Sequence, residues 1–188
     1  MPQLFTPRAD ANLRTAVVVV TAILALGSAG VWAFARSPAA TGQYRAPAQP
    51  VPFAHPLHVN GLRIECEYCH AGVRRSASAG LPPTSACVPC HKDATLRTRM
   101  FAPVAASLSS GRPIVWRRVT SVADFVFFNH AAHVGAGVSC QRCHGPVDRM
   151  LVVYQAAPLT MEWCLQCHRA QGARDEVRRL TACTTCHR

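Results

Sequence analysis

Ten cysteines in this 188-residue chain repeat one spacing five times. The pairs are Cys66 and Cys69, Cys87 and Cys90, Cys140 and Cys143, Cys164 and Cys167, and Cys183 and Cys186. Histidine follows each pair at once, as His70, His91, His144, His168 and His187. C-x-x-C-H is the attachment pattern of c-type haem. Two thiols three positions apart form thioethers to the two porphyrin vinyl groups, and the adjoining histidine meets the iron as its proximal ligand. Zinc ribbons use pairs of pairs, and five is odd. A disulfide framework has no need of the histidines, and a dithiol redox motif needs one copy. With 9 histidines in the chain, five chance adjacencies in five trials fall below one in a million. Five covalently bound haem c groups are therefore expected, numbered 1 to 5 here in chain order.

Four histidines remain, and they come in matched pairs. F-x-H-x-x-H places His55 and His58 ahead of Cys66, and the same pattern places His130 and His133 ahead of Cys140. Each pair leads two haem motifs, so the chain reads as two dihaem repeats, 53–91 and 128–168, with a fifth haem appended at 183–187. Histidines three apart share one face of a helical turn. They are expected as distal iron ligands, one serving its own haem and the other a neighbour. Five proximal and four distal histidines leave one iron short of a sixth ligand. Met150 and Met161, between the third and fourth motifs, are the candidates, Met100 is a weaker one, and a five-coordinate iron is the remaining alternative. A methionine ligand would raise that haem's potential, while the plain alternative for any methionine is packing.

These groups set demands on the rest of the chain. Five haems on about 136 residues leave roughly 27 residues each, too few for a conventional core. The haems are expected to be the core, with short helices and loops wrapped round them. Residues 16–35 form an uncharged run of twenty between Arg14 and Arg36, long enough as a helix to cross about 30 Å of bilayer. A cleaved signal peptide would have a shorter apolar centre. The expected order is a cytoplasmic N-terminus over 1–15, a membrane anchor over 16–35, a Pro- and Ala-rich linker over 36–52, and a pentahaem domain over 53–188. Haem attachment to C-x-x-C-H takes place outside the bacterial cytoplasmic membrane, which puts that domain in the periplasm or on the outer face.

From about residue 42 onward the sequence resembles the pentahaem cytochrome subunit of bacterial alternative complex III, a quinol:electron-acceptor oxidoreductase. The resemblance is carried by 49–70 (QPVPFAHPLHVNGLRIECEYCH), 79–91 (AGLPPTSACVPCH), 110–150, 158–169 (PLTMEWCLQCHR) and the terminal CTTCHR. The chain departs from that family in a short segment over 171–182 and in Thr120, near which the family often has histidine. The resemblance implies a multihaem cytochrome c fold, class III or c7-like, with one N-terminal transmembrane helix. It also implies a place beside an iron–sulfur protein, multi-span quinol-binding subunits and a monohaem cytochrome c.

The expected function is electron transfer along the haems, from a quinol-oxidising membrane complex to a monohaem cytochrome or terminal oxidase, with no bond chemistry in this chain. The alternative is a stand-alone membrane-anchored quinol dehydrogenase of the small multihaem type. The formal charge of +11, with 20 Lys+Arg of which only Lys92 is lysine, is not a nucleic-acid signal. Each haem carries two propionates, so five would add about −10, and the arginines are expected to face them.

Overall fold

The computed structural model describes residues 6–91 and 97–187; Met1, the first part of the N-terminal stretch, Lys92 and Arg188 lie outside them. The chain forms two compact units, Met1–Thr41 and Gly42–Arg188.

The first unit is built on α1 (Pro7–Ala35). Thr6 caps its N-terminus, its hydroxyl accepting from Ala9 N–H at 3.3 Å, and Pro7 sits where no amide donor is needed. The helix therefore starts well before the apolar run does. Asp10 and Arg14 bridge one turn of its polar start at 3.0 Å. No residue of α1 is buried within the unit. A helix apolar on every face, with Val, Ile and Leu exposed all round, is matched to a lipid surrounding rather than to a protein core. It is long and apolar enough to cross a membrane. At its far end the Arg36 guanidinium lies 4.1 Å above the Trp32 ring, and α2 (Pro38–Thr41) follows.

The second unit contains short helical pieces joined by irregular chain, with no strand among the described residues. The stretch 36–52, expected as an extended linker, is tied down from residue 43 onward. Gln43 Nε2 donates to Ala156 O at 2.9 Å and Tyr44 N to Gln155 O at 2.8 Å. The Gln49 side chain pairs with both backbone groups of Arg117, at 3.0 Å each.

Each repeat opens with a helical turn that carries its histidine pair. In the first repeat this is a π-helical turn, Pro56–Gly61, entered through His55. In the second it is α5 (His130–Gly135), capped by Asn129, whose side chain accepts from Ala132 N–H at 3.3 Å. Every haem motif is itself a helical turn. Three are α3 (Cys66–Cys69), α6 (Cys140–His144) and α9 (Cys183–Cys186). The motif 164–168 lies inside α7 (Met161–Arg169), and the second motif opens on a tighter turn, Thr84–Cys87. The amides of His70, His91 and His187 each bond the first cysteine's carbonyl, at 2.9 Å in all three. That closure brings both thiols to one side of the turn. α4 (Ala102–Ser110) packs on the Thr84–Cys87 turn, and α8 (Arg174–Leu180) packs on α7.

The protein core is small. Among the described residues only Val51, Val73, Val104, Met150 and Ala157 are buried apolar side chains. Polypeptide packing alone is a minor source of cohesion in such a unit.

Candidate functional site

The histidine rings show the arrangement most clearly. His130 and His144 stand 6.3 Å apart, centroid to centroid, with planes only 8° apart. His133 and His168 stand 6.0 Å apart at 26°, and His58 and His91 stand 6.1 Å apart at 47°. A metal–imidazole bond is about 2 Å, and each ring centre lies about 1 Å behind its nitrogen, so two rings trans on one ion stand roughly 6 Å apart. Each pair joins one leader histidine to one motif histidine. His55 is part-buried, and burial first, then the neighbouring His70 and His58, depress its basicity.

The two leader turns match in detail. Phe53 stacks on His58 at 4.2 Å and 25°, and Phe128 on His133 at 4.4 Å and 28°. Both phenyl rings also meet the other histidine of their pair edge-on, at 4.8 Å. The second histidine of each pair bonds the carbonyl four residues back, His58 to Ala54 at 2.9 Å and His133 to Asn129 at 2.8 Å.

Those bonds are part of a wider pattern. Nδ1 of His70 donates to Gly80 O at 2.8 Å, of His130 to Ala77 O at 2.8 Å, of His168 to Leu180 O at 2.9 Å, and of His187 to Phe125 O at 3.2 Å. A carbonyl only accepts, so Nδ1 carries the proton and Nε2 keeps its lone pair for a metal. His55 Nδ1 is buried without a partner. Burial, then the neighbouring His70 and His58, hold His55 down to about 4, and burial likewise lowers His144. Both are therefore neutral at ordinary pH, the state in which imidazole ligates.

None of the ten cysteines forms a disulfide, and all are exposed or partly covered. Burial raises the thiols of Cys66, Cys69, Cys87, Cys143 and Cys164, so they are protonated at neutral pH rather than poised as thiolate nucleophiles. Among the described residues no three of His, Cys, Asp or Glu converge as a bare-ion site. Paired imidazoles beside paired thiols suit a different metal centre, one whose macrocycle supplies four nitrogens and leaves two axial positions to the protein. The donor set therefore fits haem c and does not fit zinc.

His187 differs from His91, His144 and His168, each of which stands beside a leader histidine. Its ring neighbour is Phe125, at 5.7 Å, and a phenyl ring is no ligand. Of the methionines weighed as a sixth ligand, Met150 is 4% exposed and packs beside Gly145, the residue after His144. Met161 is 68% exposed at the start of α7, and Met100 is also exposed. Two contributors carry no motif signal: the carbonyls that orient the histidines belong to backbone, and Phe101, 4.7 Å from His91, lies outside both repeats.

Two comparisons bear on this arrangement. Residues 126–188 match the model of the family described as cytochrome c7 and related cytochrome c. The chain is also 30% identical to the multihaem cytochrome c subunit of a menaquinone reductase from Nitratidesulfovibrio vulgaris, over 85% of this chain and 83% of that protein.

Proposed function

The chain belongs to the multihaem cytochrome c family, and from that premise we propose that it is the electron-transfer subunit of a quinone-linked membrane complex, carrying five haem c groups. The observation that carries this is the set of three histidine ring pairs at 6.0–6.3 Å, each joining a leader histidine to a motif histidine.

A haem iron held between two imidazoles supplies one-electron exchange with no open coordination position. The chain's own residues do the rest. Cys66, Cys69, Cys87, Cys90, Cys140, Cys143, Cys164, Cys167, Cys183 and Cys186 fix five porphyrins as thioethers. His70, His91, His144, His168 and His187 serve as proximal ligands. His55 completes the first site, His58 the second, His130 the third and His133 the fourth. The fifth takes Met150 or Met161. The backbone carbonyls behind His58, His70, His130, His133, His168 and His187 keep those Nε2 atoms aimed, which would keep reorganisation small. α1 anchors the chain, and the haem-bearing unit lies on the periplasmic side.

The resemblance to alternative complex III makes the electron source a quinol, reached through an iron–sulfur subunit, and the acceptor a monohaem cytochrome or an oxidase. The relative's name describes a reductase, which is the same wire run in the opposite sense. The direction is set by the partners' potentials. Purification from membranes without dissociation tests the assignment. The expected result is co-purification with iron–sulfur, multi-span and monohaem cytochrome subunits, and a mass exceeding the polypeptide by five haems. Recovery of the chain alone and active with quinol would instead identify a self-sufficient quinol dehydrogenase.

A further inference from the structure

The order of the motifs along the chain need not be the order of the haems in space, and the junction between the two repeats separates the alternatives. Motif order would put haem 2 against haem 3. The contacts put haem 1 there. His70 Nδ1 donates to Gly80 O at 2.8 Å, at the far end of the loop that follows the first motif. The loop that leaves His70 then docks on the start of α5. Ser76 O accepts from Ala131 N at 3.1 Å, and Ala77 O accepts from both His130 N at 3.1 Å and His130 Nδ1 at 2.8 Å. One loop thus orients both the first motif and the histidine beside the third.

The second motif is engaged elsewhere. Phe101 lies over His91, and Thr84 Oγ1 meets Ser107 Oγ of α4 at 2.7 Å. It is tied back to the first motif through the shared turn of His55 and His58, since His58 stands 6.1 Å from His91. Beyond haem 3 the links follow the sequence. His130 and His133 share α5 and stand beside His144 and His168. His168 is in turn held by Leu180 O, just ahead of the fifth motif.

We propose that the haems are wired 2–1–3–4–5, so that the haem of Cys87–His91 and the haem of Cys183–His187 are the two ends of the path. The proposal rests on the five-haem reading above. It makes haem 1 an interior relay with two neighbours and haem 2 a terminus with one, the reverse of motif order.

Redox titration of the intact complex, resolving haems by their low-spin EPR signals, distinguishes the two. An axial methionine raises a haem's potential, so the altered haem changes charge early, and each close neighbour feels that charge. His58→Met should shift one other midpoint, and His55→Met should shift two. The opposite result, two for His58→Met and one for His55→Met, overturns the proposal. If either variant loses haem, the unaltered complex decides through anomalous scattering at the iron edge. The iron beside His70 should be the near neighbour of those beside His91 and His144; finding the His91 iron between the other two overturns it. Fewer than five haems by mass would refute the underlying reading, and the order with it.

Discussion

Replacing His130 by alanine separates ligation from packing in one measurement. The ring has two roles. One face of the imidazole stands 6.3 Å from His144 and nearly parallel to it. Its Nδ1 donates to Ala77 O at 2.8 Å, a hydrogen bond worth about 1 kcal/mol net. Losing that bond weakens the docking of the 70–80 loop on α5 by roughly fivefold. Losing the ring opens an axial position on one iron. The assay is carbon monoxide uptake by the reduced, intact protein. His130→Ala should bind one more molecule per chain than the parent, and added imidazole should reverse the gain. Asn129→Ala is the control. It removes the α5 cap that accepts from Ala132, a loss of about 1 kcal/mol, and it leaves both rings in place. It should match the destabilisation without the extra uptake. If His130→Ala takes up no more carbon monoxide than the parent, the ring is not a ligand and the centroid spacing has been misread.

Four further substitutions test other parts of the chain. Met150→Ala removes a buried side chain and should cost roughly 2–5 kcal/mol, whereas Met161→Ala, on an exposed side chain, should cost little. Loss of the methionine–iron charge-transfer band in one of them identifies the fifth haem's ligand, and its persistence in both excludes Met150 and Met161. Gly145→Ala forces a side chain into φ 71°, ψ −164°, a region essentially restricted to glycine at roughly 1–3 kcal/mol, and sets its Cβ 2.6 Å from that of Ala156. Its thermal midpoint should fall and the EPR signal of the neighbouring haem should broaden; an unchanged melt would show that the turn relaxes freely. Gln49→Ala deletes both bonds to Arg117. Proteolysis near residue 49 should quicken while the haem spectrum stays that of the parent, and no change in cleavage would show that these bonds do not hold the segment.

The chemistry of this chain is legible in its sequence because haem attachment is local. Five residues carry the whole motif, and a helical turn is enough to present them. The leader histidines are legible for the same reason, since i and i+3 on one turn need no tertiary information. What escapes is non-local. Nothing in residues 36–52 says that Gln43, Tyr44 and Gln49 bind chain more than sixty residues away, so composition reads as linker where the structure is docked. The acceptors behind the histidines are backbone carbonyls, which any side chain could accompany. The order of the haems escapes too, because it depends on how the 70–80 loop crosses to α5.

The ring pairs also have a sense along the chain. His58 meets His91, His130 meets His144 and His133 meets His168: each leader lies upstream of the motif it faces. On the orientation proposed above, the chain next to the anchor crosses first, so each attachment motif emerges after the histidine waiting for it. A porphyrin joined to a fresh motif thus finds its second axial partner already outside the membrane, and maturation can advance as a ratchet. Truncation from the C-terminus would then shorten the path one cofactor at a time and leave the earlier centres complete.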